Sequence, residues 1–184
     1  MLAELVDAER GGDRIKYVFF WGHTPAAGGT VGPHVLSQWW PATFTVDGCE
    51  YTSAEQFMMA SKARLFGDEE ALGQILEARH PREAKMFGRM VRGYDDHVWD
   101  TNRFGIVVTG SVAKFGQNQP LRRYLIATAG RVLVEASPRD AIWGIGLALT
   151  DPDAGRPSAW RGRNLLGFAL MEARRRLGDD GHRA

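Results

Sequence analysis

A succession of helix signals between Ser53 and Leu177 constrains this chain most, because it leaves room for only a small sheet. Ser53 followed by Gln56 is a capping-box pattern, in which the hydroxyl accepts from the Gln56 amide while the Gln56 side chain reaches back. Gly67 then supplies a stop. A second helix is expected over 68–78. A third opens at Pro81, whose fixed φ and missing amide suit a first helical position. A fourth starts near Asp95 or Asp96 and runs through Trp99, Arg103 and Ile106 toward Phe115, with Gly105 and Gly110 as points where it can break. Residues 120–127 form a short helix, and Asn164 to Leu177 an amphipathic one with Leu165, Phe168 and Met171 inward. Strand signals are fewer: Tyr17 to Trp21, Arg131 to Glu135, and two short runs between Thr43 and Tyr51 around Asp47-Gly48, a two-residue hairpin signal. The expectation is one α+β domain over 1–184, helix-rich with a small sheet and a core of about 17–177.

Composition narrows the function classes. A hydrophobic fraction of 44% over 184 residues is enough for one buried core. Lys+Arg is 23 against Asp+Glu 22, a formal net charge of +1, so any polyanion must be gripped at a local site instead of by a global field. Cys49 is the only cysteine, which rules out an internal disulfide and a thiolate metal cluster and suits a reducing, cytoplasmic setting. Residues 1–16 mix acidic and basic side chains and read as a polar leader, not a signal peptide. No run of about 18 apolar residues occurs, so no membrane partner is expected.

Several residue groups can carry chemistry. Glu55 and Lys62 lie seven apart, two helical turns, so a carboxylate and an amine share one face with Met59 between them. Such a pair serves acid–base or carbonyl chemistry, although a solvated helix face has the same spacing. Trp99 and Arg103 share a face of another helix and can receive a base or sugar with its phosphate, or be a half-buried ring beside a snorkelling cation. Glu135 to Gly146 packs two carboxylates, Trp143 and Gly144 into a turn-rich stretch after a strand, where Asp140 is either a chemical group or a helix N-cap. Trp160-Arg161-Gly162-Arg163-Asn164 precedes the last helix, whose amides and arginines can hold an anion. His23, His34, His80, His97 and His182 show no metal spacing, so no metal site is expected. The glycines after Gly28 and Gly144 lack the Lys-Ser/Thr of a phosphate loop, and Cys49 has no partner base.

Taken together and in order, these segments resemble the YbiA-like (NADAR) family. The residues that carry the likeness are Ser53 to Phe57 with Lys62, Trp99 with Arg103, Lys114-Phe115, Glu135-Ala136-Ser137, Asp140, Trp143 to Gly146, and Trp160 to Gly167. The likeness runs from about Phe20 to Leu177. It implies a YbiA-like fold and an N-glycosidase that needs no cofactor and cuts the bond between ribose and an amine nitrogen. Glu55, Lys62 and Asp140 are then the catalytic residues. Trp99, Arg103, Trp143, Gly144, Trp160, Arg161 and Asn164 contact the substrate. The family implies a phosphoribosyl or ADP-ribosyl small molecule: an early riboflavin-pathway ribosylaminopyrimidine phosphate, or ADP-ribose on guanine, including guanine in nucleic acid. A non-catalytic ADP-ribose or NAD-binding module would use the same tryptophans and arginines. The Gly- and Pro-rich stretch from His23 to His34 departs from the pattern by its length.

Overall fold

The structure, a computed structural model, describes residues 1–24 and 31–180. Most of the Gly-rich stretch and the last residues of the chain, expected to fray, lie outside the described residues. The chain divides into two compact units, one of Met1–Ser37 with Arg123–Ala184 and one of Gln38–Arg122. Fold content is α+β and helix-rich, as the punctuation predicts. The strands among the described residues form two small, two-stranded sheets.

The Gln38–Arg122 unit is built around α2 (Ala54–Leu65), which packs against α3 (Glu69–Glu77), α4 (Pro81–Arg89) and α5 (Asp96–Gln117). Ser53 caps α2 as expected, accepting from the Gln56 amide at 3.2 Å. Gln56 reaches one residue further back than a capping box requires, accepting from the Thr52 amide at 2.8 Å. Its amide nitrogen donates to the carbonyls of Ile75, Leu76 and Ala78, which closes the end of α3 onto the start of α2. The hairpin of β2 (Phe44–Val46) and β3 (Cys49–Tyr51) turns at Asp47 and Gly48, both at positive φ as a tight two-residue turn demands. Phe44, Tyr51 and Phe57 stack its inner face onto α2.

Helix α5 runs unbroken for 22 residues through both of its glycines. Gly110 is there for space: a Cβ would sit 2.5 Å from the Phe57 ring. At Gly105 a Cβ would meet nothing, so that position costs the helix propensity alone.

Asp68 ties this unit together. It caps α3 through the Ala71 amide and accepts from Arg92 three times, at its backbone N, Nε and Nη2, the last at 2.6 Å. The Arg92 hydrogen bonds hold the Asp68 carboxyl well below the usual carboxylate range. Because the folded-state value is depressed, the contribution is complete above the unfolded value of about 4 and lost as pH falls below it. We expect the urea midpoint to drop on acidification from about pH 4 downward, and Asp68→Asn to flatten that limb. An equally steep acid limb in the Asn variant would remove Asp68 as its source.

In the other unit, β1 (Tyr17–Phe20) pairs in parallel with β4 (Val132–Glu135), Tyr17 opposite Val132 and Phe20 opposite Glu135. Val132, Val134, Ala136, Ile145 and Leu147 form the core on which Tyr17 and Trp160 pack. The closing helix α7 (Leu165–Asp180) lies against β4, and α6 (Gln119–Ala127) spans the boundary between the units. The polar leader is in fact a helix, α1 (Leu2–Arg10). None of its residues is fully buried, and its short apolar stripe of Leu2, Leu5 and Val6 is half-buried, with Leu5 packed on that core. A polar contact docks it, with Glu9 accepting from the amide and hydroxyl of Ser158. Among the described residues no helix is long and apolar enough to cross a membrane.

Candidate active site

Glu55 is the second residue of α2, so its negative charge stands at the positive end of the helix dipole. Its side chain is only 3% exposed. Successive turns of α4 meet successive turns of α2 here. The Lys85 Nζ lies 4.0 Å from Glu55 Oε1. One turn on, Gly88 meets Met59 so closely that a Cβ would stand 2.1 Å from its sulfur. Lys62 Nζ donates to the Gly88 carbonyl at 2.8 Å. That carbonyl belongs to the last turn of α4, where no amide of the helix reaches it.

Lys62 also stands over two rings, 4.1 Å from the Tyr94 centroid and 5.8 Å from that of Trp99. Burial pushes its ammonium below the ordinary lysine range, and Asp96 opposes that shift. Tyr94 and Lys85 escaped sequence reasoning. For Tyr94 a signal existed: with Asp95 as N-cap of α5, Tyr94 and Trp99 occupy the two positions of a hydrophobic staple. Lys85 lies between the buried positions Ala84 and Gly88, and nothing in its spacing marks it.

Trp99 and Arg103 are both 7% exposed, and Arg103 is ion-paired to Asp100. A phosphate at Arg103 therefore has to share the guanidinium with that carboxylate. Lys114 is fully buried on the same helix, and burial pushes its ammonium down to about 7. A separate cleft of about 490 Å³ in this unit is lined by the hairpin, α2 and α5, with Cys49, Tyr51, Phe57, Arg64 and Asn102 among its walls. Arg64 there donates to the Tyr51 hydroxyl at 2.7 Å. None of the residues nominated from sequence as site residues lines it.

The remaining candidates form a second group, in the unit that carries β4. The loop over 141–145 is laced to 161–166: the amides of Arg163, Asn164, Leu165 and Leu166 donate to the carbonyls of Ala141, Gly144, Ile142 and Trp143, and Arg161 N to Ile145 O. The amides expected to hold an anion at the start of α7 are therefore already spent. Gly144 is sterically required, since a Cβ would stand 2.8 Å from the Glu135 carbonyl oxygen. Asn164, expected at the substrate, is fully buried at φ 51. Its side chain accepts from the Glu135 amide at 3.0 Å and donates to the Leu133 carbonyl at 2.9 Å, which clamps α7 to β4. Trp160 donates to the Ala154 carbonyl and packs edge-on against Tyr17, so both ends of its indole are engaged. Arg161 is exposed and Trp143 half-buried.

Asp140 Oδ1 accepts from the amides of Ile142 and Trp143, at 2.9 and 2.7 Å. This carboxylate builds the turn locally, as the capping alternative anticipates, and the geometry leaves its charge as a separate question. Asp140→Asn keeps an oxygen for both amides, so stability should change by no more than about 0.5 kcal/mol, as read by urea denaturation. Turnover of the same variant then reports on the charge alone; a collapse of stability would make the turn dependent on it.

Known proteins resemble this chain over most of its length. An N-glycosidase of Acanthamoeba polyphaga mimivirus is 43% identical over 164 residues, covering 86% of this chain and 95% of its own. N-glycosidase YbiA of Escherichia coli is 33% identical over 138 residues, 75% of this chain and 76% of its own. Its NMR structure superposes with a TM-score of 0.71 at 25% identity, covering 93% of this chain and 91% of that one. A riboflavin biosynthesis protein of Vibrio vulnificus is 31% identical over 142 residues, 77% of this chain but 35% of that longer protein. The model of the NADAR domain matches residues 19–178, and the chain belongs to the NADAR domain family.

Proposed function

We propose that this chain is a cytoplasmic N-glycosidase that hydrolyses the C–N bond between a (phospho)ribosyl group and an amine or base nitrogen. The observation that carries this reading is Glu55, a carboxylate 3% exposed, held at a helix N-terminus and facing a cation. Two relatives with the name N-glycosidase support it. Cleavage of such a bond builds positive charge at the anomeric carbon and requires a proton on the leaving nitrogen. The ionised form of a sequestered carboxyl group stabilises the first, and its protonated form delivers the second. Of the two roles open to Lys62, electrostatic anchor or imine-forming amine, the anchor fits its surroundings better, because the Gly88 carbonyl and two rings all attract an ammonium. Trp99 offers a ring to the sugar or base, and Arg103, by exchanging Asp100, a partner for phosphate. Asp140, Trp143, Gly144 and Arg161 are proposed contacts of the loops that follow β4.

A ribosylaminopyrimidine phosphate is the first substrate to test, given the Vibrio vulnificus relative. ADP-ribosylated guanine, free or in nucleic acid, is the second. Chromatography of the freed amine or guanine decides between them. Tight binding of ADP-ribose without release of either product would instead make the chain a binding module.

A further inference from the structure

Resting on the N-glycosidase reading, we infer that Lys85 is the amine that takes the sugar as an imine, with Glu55 as its proton partner. The sequence has four lysines, Lys16, Lys62, Lys85 and Lys114. Lys114 is sealed at 1% exposure, and Lys62 is committed to the Gly88 carbonyl at 2.8 Å. Lys16 is exposed beside no buried carboxylate that the structure shows. Lys85 differs from all three. Its side chain is 37% exposed while Glu55, 4.0 Å away, is 3% exposed, so a molecule that approaches the carboxylate along Lys85 meets the amine first. Its Nζ makes no hydrogen bond among the described residues and lies 5.8 Å from the Trp39 ring centroid, an aromatic wall for a sugar. A gap of 4.0 Å is too long for a direct hydrogen bond and is closed by one bridging atom, whether of water or of substrate.

The chemistry balances without a further reagent. The ribosylamine opens as the Lys85 ammonium gives a proton to the ring oxygen, which leaves Nζ neutral and makes C1 an iminium with the leaving nitrogen. Neutral Lys85 Nζ adds to C1 and passes its extra proton to the Glu55 carboxylate. Glu55 returns that proton to the leaving nitrogen, whose C1–N bond breaks with the electron pair going to the departing amine, and C1 becomes doubly bonded to Lys85 Nζ. Water adds to C1, Glu55 takes one of its protons and gives it to Nζ, and the C1–Nζ bond breaks with its pair returning to Lys85, while the C1 hydroxyl becomes the aldehyde carbonyl and its proton passes to Nζ to restore the ammonium. The sum is ribosylamine plus water giving open-chain ribose and free amine.

The test uses the full chain with ribose 5-phosphate and cyanoborohydride, followed by peptide mass spectrometry of all four lysines. Lys85 should be alkylated at least about tenfold faster than Lys16, the exposed control, since a held aldehyde raises the effective concentration. Glu55→Gln should slow labelling at Lys85 and leave Lys16 unchanged. Fastest labelling at Lys62, or equal rates at Lys85 and Lys16, overturns the assignment. Hydrolysis of N-ribosyl substrates separates the two ideas. If Lys85→Arg, with its melting temperature retained, still turns over, the imine is excluded and the N-glycosidase reading stands. If no N-ribosyl substrate is cleaved but Lys85 is selectively trapped, the amine site stands and the N-glycosidase reading falls.

Discussion

Glu55→Gln should lower turnover by about 100-fold or more with little change in melting temperature, the scale of a lost acid–base group. Gln has the same shape, and the backbone amide of residue 55 still donates to the Gln38 carbonyl at 3.0 Å. Nothing in the capping of α2 uses the Glu55 carboxylate, since Ser53 and Gln56 do that work. The measurement is kcat on a ribosylaminopyrimidine phosphate alongside thermal denaturation. If stability falls as far as activity, the carboxylate is part of the scaffold and the chemistry lies elsewhere.

Asn164→Ala should destabilise the protein by about 3–5 kcal/mol, because it orphans two buried backbone groups and puts a Cβ residue without a polar tip at positive φ. The groups are the Glu135 amide and the Leu133 carbonyl. Asn164→Gly separates the causes: it removes the same hydrogen bonds but tolerates the backbone, and should recover about 1 kcal/mol of the loss. Urea midpoints of both variants give the answer. Unchanged stability with weakened substrate binding would return Asn164 to the substrate, where the family likeness had put it.

Local chemistry explains which features the sequence revealed. Ser53, Pro81, Asp95 and Asp47-Gly48 act within four residues of themselves, and each lies at the boundary its type predicts. Helix α1 escaped because its apolar stripe is only Leu2, Leu5 and Val6, set among the charges of Glu4, Asp7, Glu9 and Arg10. The start of α4 showed a different limit. His80 caps it with an imidazole nitrogen that accepts from the Arg82 amide at 3.1 Å, a role usually taken by hydroxyls and carboxylates. The site was legible in part. Glu55 and Lys62 announce a shared face by spacing, but which cation faces Glu55 depends on how α4 packs on α2, and that contact leaves no trace in the order of residues. Asn164 is ambiguous in sequence for a related reason: a buried amide that clamps two elements and one that grips a ligand look identical there.

The parallel pairing of Tyr17 with Val132 has a consequence for how this chain is made. Residues 38–122 form one contiguous stretch whose partners have all been synthesised by the time Arg122 leaves the ribosome. Strand β1 is translated long before β4 exists, and joining them closes a loop of more than a hundred residues, a slow step by comparison with local helix contacts. Until then Val18 and Phe20, both buried in the finished protein, wait without their partner strand. Nascent-chain proteolysis should therefore find Glu55, Lys62 and Lys85 protected early and the segment around Tyr17 cut until β4 and α7 have emerged.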